Sequence, residues 1–133
     1  MSLSDLISEV KNVIASQLRS REDLRVGLEV ENLIYDQKIS RIPVNPSTAF
    51  STSDLKARLE DKNSEKRIPP TLTIEPGGQI EYASAPHKSL HDLASEWKVY
   101  ISKLIKVAEE ENLVVSDFAL EPVVPANHIT IID

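Results

Sequence analysis

The stretch from Thr71 to Pro86, TLTIEPGGQIEYASAP, limits this chain's fold more than any other. Two of the protein's three glycines, Gly77 and Gly78, stand side by side in it. Thr71, Leu72, Thr73 and Ile74 form a β-branched, apolar approach, and Gln79 to Tyr82 alternate polar with apolar. This pattern predicts two extended runs joined by a Pro-Gly-Gly turn. Glu75 precedes a proline and is biased toward extended backbone. Pro76 and Gly77 suit the two central positions of a type II turn. After the glycines, Gln79 and Glu81 share one face of an extended run, while Ile80 and Tyr82 share the other. Carboxylates beside a backbone thin enough for close approach suit a cation or phosphate site. The plainer alternative is a surface hairpin with solvated glutamates.

A second acidic stretch lies upstream. In residues 24–35, LRVGLEVENLIY, the series Arg25, Gly27, Glu29 and Glu31 alternates with Val26, Leu28, Val30 and Asn32. That is the period of a strand with one polar face. Glu29 and Glu31 then stand about 6–7 Å apart on the same side. Like charges so placed are unfavourable unless water screens them or a cation sits between them. Mg²⁺ takes oxygen ligands, commonly one or two carboxylates together with phosphates.

The remaining elements follow from periodicity and punctuation. Residues 3–19 predict a helix with Leu3, Leu6, Ile7, Val10, Val13, Ile14 and Leu18 on one stripe, read as core-facing, and with Ser2 and Asp5 as a capping box. Residues 36–70 read mainly as loop, with prolines at 43, 46, 69 and 70. Within them, a short helix is expected from Ser53 to Asp61, with Leu55 and Leu59 inward. Lys62, Lys66 and Arg67 are weak candidates for a phosphate anchor. Residues 89–112 carry the clearest helical pattern, capped by Ser89 and Asp92. Leu90, Leu93, Ala94, Trp97, Ile101, Leu104, Ile105 and Ala108 form its apolar stripe, and Asn112 closes it. Trp97 reads as a core residue, and His87 and His91 as surface residues with no partner at metal-binding spacing. Residues 113–121 and 128–132 read as strands.

Length and charge narrow the class. A chain of 133 residues suits one domain with a real core. A net charge of −6 argues against a nucleic-acid surface, which needs clustered basic residues. With no cysteine there is neither a disulfide nor a thiolate metal site. No apolar run approaches the roughly 20 residues of a membrane span, and the N-terminus lacks the pattern of a signal peptide. The expected setting is cytoplasmic.

Gly27-Leu-Glu29-Val-Glu31 and Glu75-Pro-Gly-Gly-Gln-Ile-Glu81 together resemble the plant and proteobacterial type of glutamate–cysteine ligase. Ala85-Pro86, Leu90-His91 and Ala108-Glu-Glu110 continue the likeness. Glu-x-Glu is a weak signal by itself, whereas Glu-Pro-Gly-Gly-Gln-x-Glu between a strand and a helix is a specific one. The likeness covers about residues 24–35 and 71–122. It implies an α+β fold: an antiparallel sheet with helices packed on one face, as in the N-terminal part of the glutamine synthetase-like carboxylate–amine ligases. It also implies an ATP- and Mg²⁺-dependent enzyme that joins glutamate's side-chain carboxylate, through an acyl phosphate, to the amine of cysteine in the first step of glutathione synthesis. Residue by residue, Glu29, Glu31, Glu75 and Glu81 become candidate metal ligands. Gln79, Gly77 and Gly78 become candidate substrate- or nucleotide-binding positions, and no catalytic residue is assigned. Members of that family are much longer, so residues 1–133 are expected to be an incomplete N-terminal portion of the catalytic domain. The alternative is a catalytically incomplete metal- or nucleotide-binding module that works by assembly with itself or a partner chain, through an unpaired sheet edge.

Overall fold

The computed structural model describes residues 2–60, 69–118 and 120–128. Four strands make one antiparallel sheet: β1 (Glu29–Tyr35), β2 (Thr71–Ile74), β3 (Ile80–Ala83) and β4 (Val114–Ser116), in the order β2-β3-β1-β4. Helices α2 (Thr52–Leu59) and α3 (Leu90–Glu110) cover one face of it. The expected α+β architecture, with helices on a single face, is therefore present. Lys62, Lys66, Arg67 and residues 129–132 lie outside the described residues.

Strand alternation decides which face is covered. Ile34, Ile80 and Tyr82 point to the helices, where they meet Leu55 and Leu59 of α2 and Tyr100, Leu104 and Val107 of α3. Ile34, Leu55, Ile80 and Leu104 are all but completely buried. Each such side chain contributes roughly 2 kcal/mol through burial. Tyr82 stacks on Tyr100 with ring centroids 4.1 Å apart, and Trp97 tilts against both rings at 5.7 and 5.4 Å. Trp97 thus lies at the margin of the core, as its place on the apolar stripe predicts.

The helix ends are chemically explicit. Ser51 and Asp54 form a reciprocal capping box on α2. Ser89 accepts from the Asp92 amide, starting α3. Asn112 takes the left-handed conformation at φ 53, while the Leu113 amide donates to Ala108 O and the Asn112 amide to Glu109 O. This pair of bonds is a Schellman closure, with asparagine in the place usually held by glycine. Arg58 of α2 bridges Glu110 and Glu111, and Lys103 Nζ reaches Leu59 O at 2.8 Å. These bonds tie the two helices together.

The structure corrects four expectations. The helix α1 (Leu3–Ser16) forms and carries its Ser2–Asp5 capping box, but none of its residues is buried. Leu3 is 74% exposed and Leu6 43%, so the stripe read as core-facing is left exposed. The buried stripe of α3 is rotated from the expected one. Tyr100 and Val107 face inward, whereas Leu90 and Ile105 are exposed. Apolar residues nearly encircle α3, with Val99, Tyr100 and Ile101 consecutive and Ile105 two before Val107, so periodicity alone does not fix which stripe turns inward. His87 is largely buried rather than at the surface, because its backbone pairs with Val26 in an isolated bridge. The turn is not type II, for the positive φ of +77 falls on Gly78 and not on Gly77.

That last correction explains the double glycine. The Glu75 amide donates to Gln79 O at 2.9 Å and the Gly78 amide to Glu75 O at 2.7 Å. Pro76, Gly77 and Gly78 are therefore a three-residue hairpin loop closed by a left-handed glycine. A Cβ on Gly78 would lie 2.7 Å from Val44 Cγ2, whereas one on Gly77 would strike only the movable amide of Gln79. We expect Gly78→Ala to cost about 2 kcal/mol or more in urea denaturation, from left-handed strain and overpacking. Gly77→Ala is expected to cost less than half as much.

Candidate functional site

The face of the sheet turned away from the helices carries the acidic residues. Register places Glu31 directly opposite Glu81, and Glu81 directly opposite Thr73. Glu31, Glu81 and Thr73 thus form one row across three strands. Glu29 stands two residues along, opposite Ala83. Thr73 Oγ1 lies 3.1 Å from Glu81 Oε1 and 3.4 Å from Glu75 Oε1. A hydroxyl has one proton to donate, so it links the two carboxylates of the hairpin by serving one at a time. Thr73 is a residue that sequence reasoning passed over as a mere strand former. Alternation together with register would have found it, once β2 was paired to β3.

The four glutamates predicted from sequence therefore share one face, and two of them meet directly. Like charges directly opposite on neighbouring strands repel. Among the described residues, no three acidic or imidazole side chains converge closely enough to hold a metal ion among them. The donor set nevertheless suits a hard cation, because it consists of carboxylate and hydroxyl oxygens. Mg²⁺ commonly needs only one or two carboxylates when phosphates complete its shell. Gln79 Oε1 adds a buried acceptor without a hydrogen-bond partner beside the glycine loop. Gly78 is itself buried against Val44, and the Gly77 carbonyl is occupied by an arginine.

That arginine, Arg41, belongs to a second constellation at the same end of the sheet. Its Nη2 donates to Gly77 O at 2.8 Å and its Nη1 to Glu121 Oε2 at 2.9 Å. The guanidinium lies 5.7 Å from the centre of the Tyr35 ring. Glu121 Oε1 accepts from the Tyr35 hydroxyl at 2.8 Å and from the Val123 and Val124 amides at 2.8 and 2.9 Å. Burial alone would raise the Glu121 pKa, but the two amides, the guanidinium and the phenol outweigh it and pull the carboxyl down to about 2. Tyr35 moves the opposite way, up to about 12, through burial and then through its bond to the Glu121 carboxylate. Sequence reading missed both ends of this pair, since Arg41 sits in a proline-punctuated loop 80 residues before Glu121.

A third group lies at the other end of β3. Glu96 of α3 accepts from the Tyr82 hydroxyl at 2.8 Å and from the Ala85 amide at 2.9 Å. His87 Nε2 approaches its other oxygen at 3.1 Å, within ion-pair distance but off hydrogen-bond geometry. Burial, then the neighbouring Glu96 carboxylate, raises the Tyr82 pKa. Near this end a cleft of about 260 Å³ opens among Gly27, Leu28, Glu29, Ala83 and Ser84. None of the described helices is long and apolar enough to cross a membrane.

Two comparisons bear on this arrangement. No family model matches the sequence. The chain is 29% identical over 105 residues to "Glutamate--cysteine ligase, chloroplastic" of Brassica juncea, an alignment covering 73% of this chain and 20% of that protein. The chain thus spans about a fifth of the length of the relative it matches.

The low pKa of Glu121 has a measurable consequence. Because its folded pKa lies below the ordinary value of 4.5, its stabilisation is complete above about pH 4.5 and is lost as the pH falls toward 2. After allowance for solvent screening this amounts to roughly 2 kcal/mol. Urea denaturation of the Glu121→Gln variant should show a stability deficit at pH 7 that narrows by about that amount at pH 2.5.

Proposed function

We propose that this chain is the carboxylate-bearing part of an ATP-dependent glutamate–cysteine ligase. The single observation that carries the reading is the row formed by Glu31 and Glu81 beside the glycine loop. The similarity to the Brassica juncea ligase falls in with it. In this reading Glu29, Glu31, Glu75 and Glu81 supply Mg²⁺ ligands singly or in pairs, with phosphates completing the shell, while Gln79, at the foot of the glycine loop, lies against substrate or nucleotide. When bound, the cation offsets the charge of the anions that phosphoryl transfer brings together. The chain's own part is to hold like charges at fixed spacing on a rigid sheet, so that the cost of their repulsion is recovered only when cation and nucleotide arrive. The reaction transfers the γ-phosphoryl group of ATP to glutamate's side-chain carboxylate and releases ADP. The amine of cysteine then displaces phosphate to form the amide.

One observation favours a second reading, in which the module becomes active only on assembly. The acidic row lies on an open sheet face, and the cleft beside Glu29 is smaller than the roughly 300–1,000 Å³ typical of small-molecule sites. A nucleotide there needs walls that another part of a longer protein, or another chain, would supply.

ADP release by the purified 133-residue chain, with ATP, Mg²⁺, glutamate and cysteine, tests both readings. Turnover that needs both amino acids and drops at least 100-fold in Glu81→Gln is the outcome expected of a ligase. Mg²⁺-dependent ATP binding without turnover selects the assembly reading. Nucleotide affinity that is unchanged in Glu31→Gln and Glu81→Gln removes the site altogether.

A further inference from the structure

The Arg41–Glu121 pair bears on the glycine loop in a way that its contribution to stability does not exhaust. A hairpin tip built from two adjacent glycines has the largest backbone freedom a chain can have. Loop tips of this kind are ordinarily the first parts of a structure to open. Glu75 and Gln79 stand at the two feet of this tip and exchange the hydrogen bond that closes it. On the hairpin side, the loop is held by that bond and by the Gly78-to-Glu75 bond, while the Thr52 hydroxyl donates to Gly78 O at a long 3.5 Å. On the other side, the strap is the Arg41 guanidinium, which grips the Gly77 carbonyl.

Arg41 can act as a strap because its backbone and its second terminal nitrogen are both held. Its backbone pairs with Tyr35 in an isolated bridge, next to the end of β1. Its side chain is only 14% exposed, lies against the Tyr35 ring and is engaged by Glu121. Glu121 is in turn fixed by a phenol and two backbone amides. The planar fork of arginine reaches Gly77 O and Glu121 Oε2 with different nitrogens at once, which a single ammonium does less well. Gly78 Cα stands close by, since a Cβ there would lie 3.4 Å from Arg41 Nη2.

We propose that Arg41, locked by Glu121, is a positioning residue that fixes the Pro76–Gly78 loop and thereby places Glu75 and Gln79 for the Mg²⁺–nucleotide site. The inference rests on the ligase reading above and extends it to residues outside the acidic row. Both terminal nitrogens of Arg41 are taken by Gly77 O and Glu121, so its assigned effect on the site passes through the loop.

The test pairs amide hydrogen exchange on the metal-free chain with calorimetric titration of Mg²⁺ and the non-hydrolysable analogue AMP-PNP, in the parent, Arg41→Lys and Glu121→Gln. In Arg41→Lys, exchange at the Glu75 and Gly78 amides should quicken at least tenfold while amides around Leu104 keep their protection. Affinity for Mg²⁺–AMP-PNP should fall at least fivefold. Glu121→Gln should move both readouts in the same direction by a smaller factor, and it decides the question if Arg41→Lys does not fold. Unchanged loop exchange in a folded variant overturns the proposal. So does faster loop exchange with unchanged affinity, which would leave Arg41 a purely structural residue. A parent chain that takes up no Mg²⁺–AMP-PNP overturns the ligase reading instead, and the exchange measurement then decides by itself whether Arg41 holds the loop.

Discussion

The open face of this sheet owes its geometry to what is packed behind it. Ile34, Ile80 and Tyr82 are pinned beneath Leu104 and Tyr100 of α3 and beneath Leu55 of α2. Because strand side chains alternate, fixing those three residues inward also fixes Glu31 and Glu81 outward. A slip of one residue between β1 and β3 would expose Ile80 and Tyr82 and bury a carboxylate. The loss of several well-buried apolar groups, each worth roughly 2 kcal/mol, outweighs the repulsion between two partly solvated glutamates. The core therefore enforces an acidic row that the charges themselves oppose.

Much of this was legible in the amino-acid sequence, for reasons that are local. The hairpin is written in Thr71 to Tyr82 by β-branched residues, a Pro-Gly-Gly loop and strict alternation. The starts of α1 and α3 follow from serine caps with aspartate three residues on, and the end of α3 from Asn112, whereas α2 begins at Thr52 on a Ser51 cap, one residue before the expected Ser53. Glu29 and Glu31 could be assigned to one face from period two alone. What escaped were relations set by tertiary structure. Both Gly77 and Gly78 permit a positive φ, and only the closing bond from Glu75 to Gln79 selects Gly78. An amphipathic stripe says that a face can be buried, not that it is, and α1 shows the difference. Thr73 joins the acidic row only through its register with Glu81. Arg41 and Glu121 meet across 80 residues of chain, with no periodic signal at either end.

The three polar constellations divide the labour along the sheet. The row at Glu31, Glu81 and Thr73 bears charge and makes few bonds within the protein. The groups at its two ends are heavily bonded instead, Glu121 by four donors and Glu96 by the Tyr82 hydroxyl and the Ala85 amide. The acidic row thus lies between two partly buried networks whose carboxylates accept several hydrogen bonds each.

The position of β1 in the sheet has a consequence for how the chain is made. It is the first strand in sequence, yet it lies between β3 and β4, so Glu31 waits for Glu81 and Ile34 for Val115. Closing such distant pairs is entropically slow, whereas the β2–β3 hairpin can form as soon as its three-residue loop is synthesised. During that interval a run containing Val30, Leu33, Ile34 and Tyr35 is an unpaired strand on a ribosome-bound chain. Glu29 and Glu31 interrupt it with negative charge, as gatekeeper residues do beside unavoidable hydrophobic strands. The same two carboxylates thus guard the nascent strand against aggregation before the finished sheet sets them in its acidic face.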